Sequence, residues 1–227
     1  MHSVAYRSEK GSRSKENEDA FLAMPSLGFF AVADGVGSGT RSGDAARKTV
    51  ELLFQELNEY VPSIDGILQA IHRANKEVFE YTTDLPSANT ACTLSAIWLN
   101  NGHANIFHVG DSRIYKLSNH EIAQVTRDHV KAISHDGLNN KNVLTRAIGS
   151  HQEVQVDIQK FRYHPKDSFT LMTDGVSDKV DLNTIESIAA DHTCSDTQKV
   201  EQLIEAAIQA RSTDDKTVIL VSPKGPS

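Results

Sequence analysis

One stretch, FFAVADGVGSG at residues 29–39, constrains this chain more than any other. An apolar run from Phe29 to Ala33 stops abruptly at Asp34-Gly35, and small, glycine-rich residues follow. A short apolar run ended by glycine has the pattern of a buried strand. A carboxylate at the end of such a strand is costly unless a cation or another partner meets it. The pattern recurs in FTLMTDGVSD (169–178), where an apolar run stops at Asp174-Gly175. Two further strand-like stretches carry acids at a boundary: Asp111 in HVGDSRIY (108–115), and Asp214 with Asp215 in STDDKTVILV (212–221). Acids converging from the ends of several strands are what a cluster of divalent cations requires. Hard oxygen ligands select Mg or Mn over zinc.

Other metal and catalytic patterns are absent from the sequence. No HxH, CxxC or HExxH pattern competes for a metal. GVGSG lacks the Lys-Ser/Thr of a phosphate loop and does not match GxGxxG, and there is no GxSxG elbow. Each Asp-Gly pair alone fits an ordinary turn, so the metal reading rests on the acids taken together. His108 lies inside a strand pattern and is expected to be a hydrogen-bonded core residue. His129 and His135 lie in a polar stretch and are expected to be solvated. Cys92 lies in a strand pattern and is expected to be a buried thiol in a reduced chain.

Length and composition set the frame for this site. The 227 residues are enough for one domain with a sizeable core. Charged residues make up 23% and hydrophobic residues 39%, the balance of a folded globular protein. The net charge of −7 argues against a nucleic-acid partner. No apolar run approaches the roughly 20 residues of a membrane span, and the first residues lack a signal-peptide core. A cytoplasmic protein with no membrane partner is expected.

In chain order, a short strand is expected near Val4–Tyr6, then a charged loop in SKENEDAF (14–21). A helix follows the 29–39 stretch, with Ala46, Val50, Leu53, Phe54 and Leu57 on one face and Ser42 or Asp44 as its cap. Pro62 ends it, and a second helix places Ile64, Ile67, Leu68, Ile71, Ala74, Val78 and Phe79 on one face. Residues 88–126 read as an antiparallel meander, with turns at Asn101-Gly102, at Gly110-Asp111-Ser112 and at Asn119-His120. Residues 127–141 read as a loop or short helix. Strands are expected at 154–161, 168–173 and 217–221, helices at 183–191 and 196–211, and a disordered tail at 223–227. Strands and helices fall in blocks rather than in alternation, which implies an α+β layered domain.

Seven motifs carry a resemblance: NEDA (17–20), ADGVG (33–37), HVGDSRIY (108–115), TRDH (126–129), LTRAIG (144–149), TDGVSD (173–178) and DDKTVIL (214–220). Their order and spacing resemble the metal-dependent serine/threonine protein phosphatases of type 2C, the PPM family, over about residues 10–221. The compact size is similar to the bacterial members. The resemblance implies a four-layer αββα sandwich, with a central antiparallel β-sandwich flanked by helix pairs, as one catalytic domain over 1–227. It implies two Mg or Mn ions with a weaker third. Asp34 resembles the carboxylate that bridges two metals, and the Gly35 carbonyl would bind the second. Asp174 and Asp214 resemble the remaining carboxylates of the first metal, and Asp111 the acid of the third site. Asp19 resembles the acid that holds metal-bound waters, with Glu18 or Asn17 in support around it.

The implied activity is hydrolysis of phosphoserine and phosphothreonine in proteins by a metal-activated water, in opposition to a serine/threonine kinase. The alternatives are a regulatory pseudophosphatase and a phosphatase dedicated to one small phosphoprotein partner. Three departures from the family pattern stand out. Ser14 occupies the place of the family's phosphate-binding Arg, so Arg13 is the expected substitute. Val36 stands where many eukaryotic members have a His. The flap-like segment around 129–142 is short. In addition, DDK at 214–216 differs from the common DN-V.

Overall fold

The apolar run that opens the metal-site motif is buried on both of its faces, and this fixes the layering of the whole chain. In β3 (Phe29–Gly37) all five residues from Phe29 to Ala33 are fully buried. Alternate side chains on a strand point to opposite faces. Phe29, Ala31 and Ala33 enter one core with helices, and Phe30 and Val32 enter a second core between two sheets. The computed structural model describes residues 2–37, 42–59, 61–83, 90–134 and 140–223.

β3 belongs to a sheet formed with β2 (Asp19–Met24), β5 (Leu94–Asn100), β6 (His103–Val109) and β11 (Asp157–Arg162), in the order β11-β6-β5-β3-β2. β4 (Thr90–Cys92) pairs with the far end of β3. A second sheet contains β1 (His2–Glu9), β7 (Arg113–Ser118), β8 (Glu121–Gln124), β12 (Ser168–Met172) and β13 (Lys216–Pro223), in the order β1-β13-β12-β7-β8. All pairings in both are antiparallel.

Helices α1 (Ser42–Glu59) and α2 (Ile64–Thr83) cover the first sheet through Leu53, Leu57, Ile67, Ile71 and Val78. A short α3 (Asp174–Ser177) follows β12. Helices α4 (Leu182–Ala190) and α5 (Asp196–Gln209) cover the second sheet through Ile185, Ala189, Val200, Leu203 and Ala207. The sheets meet through Phe30, Ile97, Ile106, Ile114, Phe169 and Ile219. Three apolar cores thus separate four layers, helices, sheet, sheet and helices, the αββα sandwich.

Several sequence expectations change. Within the expected meander, residues 94–124 form two hairpins in different sheets: β5–β6 lies in the first and β7–β8 in the second. The chain changes sheets at Gly110, whose φ of 108° suits glycine alone. The flanking turns do form, with positive φ at Asn101 and Gly102 and at Asn119 and His120. Residues 130–134 and 140–144 pair as antiparallel strands, β9 (Val130–Ser134) and β10 (Asn140–Leu144), rather than forming a loop or short helix. Phe54 is exposed rather than part of the buried face of α1, and Ser42 and Asp44 lie within that helix. The charged stretch around 14–21 ends in a strand, since Asp19 opens β2. Pro223 pairs with His2 at the end of β13, so the strand reaches into the expected tail. Residues 224–227 and His135 lie outside the described residues.

Candidate metal centre

Five acids reach one end of the two sheets from different elements. Asp19 and Asp34 stand directly opposite each other in the β2–β3 ladder. Asp174 opens α3 just after β12, and Asp214 lies just before β13. The Thr173 N–H donates to the Thr217 carbonyl at 3.1 Å, which holds these last two elements side by side. Asp111 follows Gly110 in the crossing between the sheets. The Asp34 backbone is fixed on both sides by Thr93: its N–H donates to Thr93 Oγ1 at 2.9 Å, and its carbonyl accepts from the Thr93 N–H at 2.9 Å. At Gly175 any Cβ would lie 1.9 Å from the Asp215 carbonyl oxygen, so the Asp-Gly pair lets α3 press on the start of β13.

The acids are held at the cost of mutual repulsion. Burial pushes the Asp34 carboxyl well above its ordinary range, and the neighbouring Asp19, Asp174 and Asp214 push it the same way. Burial raises Asp19 to about 7, although it accepts hydrogen bonds from Thr217 Oγ1 at 2.7 Å and Thr173 Oγ1 at 2.8 Å. Burial and the charge on Asp214 raise Asp174. Burial, then Asp174, Asp178 and Asp128, raises Asp111 to about 7. A bound divalent cation would reverse each shift, because it favours the charged form.

Two observations test whether the residues fit such a cation. Asp19 Oδ1 and Asp174 Oδ1 are buried and have no hydrogen-bond partner among the described residues. An orphaned buried carboxylate oxygen is rare and costly without an ion beside it. The acids also supply oxygen donors only, the set that suits Mg or Mn. Among the described residues no three His, Cys, Asp or Glu side chains already surround one point. Asp214 meets Arg13, and Asp19 meets two threonine hydroxyls.

The remaining expected residues fall as follows. Gly35 lies in β3 opposite Cys92, and its N–H donates to the Glu18 carbonyl at 3.1 Å. Glu18 takes part through its backbone, whose N–H donates to Asp215 Oδ2 at 2.7 Å. Asn17 accepts from the Asp19 N–H at 3.0 Å and donates to Ser8 Oγ at 2.9 Å. Arg13 Nη1 meets Asp214 Oδ2 at 2.5 Å, so its guanidinium faces the acids. The charge on Asp214, with that hydrogen bond, holds the guanidinium above its ordinary range, with Asp174 and Asp34 acting the same way.

Other residues at the site escaped sequence reasoning. Thr173 and Thr217 hold the Asp19 carboxylate, yet a Thr inside a strand run reads only as a β-former. His129 is buried rather than solvated. Its Nδ1 accepts from the Gly110 N–H at 3.1 Å, so the proton sits on Nε2, which donates to Asp157 Oδ2 at 3.1 Å. Arg146 closes that group on Asp157 at 2.6 Å. His108 is buried as expected, between Ser95 Oγ at 2.8 Å and the Arg127 carbonyl at 3.0 Å, and burial lowers it to about 4. Arg113 bridges Asp128 and Asp178, each at 2.7 Å, beside Asp111.

Known proteins resemble this chain over nearly its whole length. A profile described as protein phosphatase 2C matches residues 8–210. The serine/threonine phosphatase Stp of Listeria monocytogenes is 30% identical over 97% of this chain and 95% of its own. The PPM Ser-Thr phosphatase MsPP of Mycobacterium smegmatis, solved in complex with cacodylate, is 27% identical with a TM-score of 0.86, over 98% of each chain. The solved catalytic domain of the serine/threonine protein phosphatase PstP, in complex with two manganese ions, shares the fold at 24% identity and a TM-score of 0.86, over 99% of each chain. With most of its length under the family profile and a relative matched nearly end to end, the chain belongs to the protein phosphatase 2C family.

Proposed function

We propose that this protein is a metal-dependent serine/threonine protein phosphatase whose centre is held by Asp34, Asp174 and Asp214. The carrying observation is the pair of orphaned buried oxygens, on Asp19 and Asp174, within a cluster of acids from separate strands. Manganese in the PstP catalytic domain supports the same metal class. Asp34, Asp174, Asp214 and the Gly35 carbonyl would hold two ions, and Asp111 with Asp174 would hold a weaker third. Bound there, Mg or Mn supplies positive charge that acidifies a water and offsets the charge of a phosphomonoester dianion.

The chain's own groups do the rest. Thr173 and Thr217 fix the Asp19 carboxylate, so its free oxygen keeps one direction. Asn17 and the Glu18 backbone hold the strand start on which Asp19 sits. Arg13 offers a fork of donors to the phosphate oxygens, the geometry a point charge lacks. No protein nucleophile is required. The buried Cys92 thiol, pushed up to about 12 by burial, is unsuited to the role.

The substrates are phosphoproteins, and the enzyme opposes a serine/threonine kinase in the cytoplasm of a bacterium. No helix among the described residues is long and apolar enough to cross a membrane. Residues 2–223 act together as one catalytic domain, since the acids come from both sheets. Hydrolysis of a phosphothreonine peptide tests the proposal. Activity should require Mn or Mg, vanish in chelator and fall at least about a hundredfold in Asp34→Asn. Full turnover by Asp34→Asn, or in chelator, would overturn it.

A further inference from the structure

We propose that Asp215 is a positioning residue for Arg13, so that affinity for the substrate phosphate depends on a buried carboxylate that does not touch the phosphate. The proposal rests on Arg13 acting as the phosphate clamp in the function proposed above. β1 ends at Glu9 and β2 begins at Asp19, and the residues between them form no helix or strand. Such a segment takes its shape from the bonds it makes to its surroundings.

Those bonds run to the start of β13. Asp215 is buried, and its two oxygens hold the two ends of the segment. Oδ1 accepts from the Gly11 N–H at 2.6 Å and Oδ2 from the Glu18 N–H at 2.7 Å. Between these ends, the N–H groups of Ser12 and Arg13 both donate to the Thr213 carbonyl at 2.9 Å. Lys10 Nζ adds bonds to the Gly11 carbonyl at 2.8 Å and the Ser14 carbonyl at 3.0 Å. At Gly11 any Cβ would lie 2.3 Å from the Thr213 carbonyl oxygen, so the contact is as close as a backbone allows.

The consequence falls on Arg13. Its side chain is 65% exposed, a setting in which a long cation is ordinarily free to move in solvent. Its backbone is instead pinned to the residue preceding Asp214, and the guanidinium is directed onto Asp214. An incoming phosphate can take the guanidinium over from Asp214 without first ordering the loop, so less freedom is lost on binding. Asp215 could alternatively be a further metal ligand. Both of its oxygens already accept short bonds from backbone N–H groups, which favours positioning.

The test is steady-state hydrolysis of a phosphothreonine peptide in Mn by Asp215→Ala, Asp215→Asn, Arg13→Ala and the Asp215→Ala/Arg13→Ala double variant. Asp215→Ala removes both acceptors and should raise KM about tenfold, with kcat within about twofold. Asp215→Asn keeps one acceptor and should raise KM by less. The Mn concentration for half-maximal activity should not move. The double variant should have the KM of Arg13→Ala alone, because the two residues act as one unit. Wild-type KM in Asp215→Ala, or in Asp215→Asn if the alanine variant fails to fold, beside a raised KM in Arg13→Ala, would overturn the positioning role and leave the clamp standing. KM effects that add in the double variant, or a shifted Mn requirement, would overturn it too. Wild-type KM in Arg13→Ala would remove the clamp and this proposal together, and a retained Mn-induced rise in Tm would show that the metal centre survives that failure.

Discussion

Asp19 is a buried carboxylate with one oxygen satisfied by two threonine hydroxyls and the other by nothing among the described residues. A group so arranged is oriented for a partner that arrives later. Asp111 bears the same cost of burial but differs in its partners, since the described hydrogen bonds give its side chain no donor. A site built on it has fewer protein carboxylates and binds its cation less tightly. Asp111→Ala should therefore keep the first two ions but lower turnover severalfold, by about the factor that one electrostatic contact is worth. Turnover equal to wild type across a Mn titration would reject a catalytic role for that site. The cysteines allow a simpler check. Cys92 is buried with its thiol pushed up to about 12, and the other thiol, Cys194, lies near the start of α5, away from the acids. Activity should survive alkylation of the folded enzyme with iodoacetamide, and loss in proportion to Cys194 modification would count against a mechanism without a thiol.

At the scale of elements, the stability of α5 and the chemistry of the site are separable. Ser195 and Gln198 form a reciprocal capping box at the start of α5, remote from the acids. Ser195→Ala should cost about 1 kcal/mol of stability in urea unfolding, with kcat and KM unchanged. Helices such as α5 were legible in the sequence because their signal is local, a 3.6-residue period, as was the apolar run stopped by Asp-Gly; the caps were not, since Ser42 and Asp44 lie within α1 and Ser195 was not singled out. The crossing at Gly110 was not legible, because β6 and β7 look alike whether they pair with each other or with strands of different sheets. The pairing of β9 with β10 was missed for a related reason. Ala132, Ile133, Asn142 and Val143 are all exposed, so no buried face imprints a period on the sequence. His129 looked solvated because its partners, Gly110 and Asp157, lie 19 and 28 residues away. The place of Arg13 was equally hidden, since it is set by residues 213–215 at the other end of the chain.

At the scale of the whole molecule, the fold gathers like charges at the end of a sandwich that would be more stable without them. The unfolded chain titrates each Asp near its ordinary pKa of about 3.9. In the metal-free fold Asp19 and Asp111 titrate at about 7, and Asp34 and Asp174 are raised as well. The fold therefore binds more protons than the unfolded chain between those limits, and stability falls as pH rises from about 4 through about 7. The Tm of the protein in chelator should drop between about pH 5 and about pH 8 by more than surface titration alone gives. Mn favours the charged carboxylates, so its stabilising effect should be larger at the higher pH. Asp34→Asn isolates the cause, because it removes one buried charge at nearly constant shape. In chelator this variant should melt above wild type at about pH 8 and near it at about pH 5, and it should lose most of the Mn-induced rise. Equal pH slopes for the two proteins in chelator would mean that the buried acids do not set the stability of this fold, and that its strain lies elsewhere.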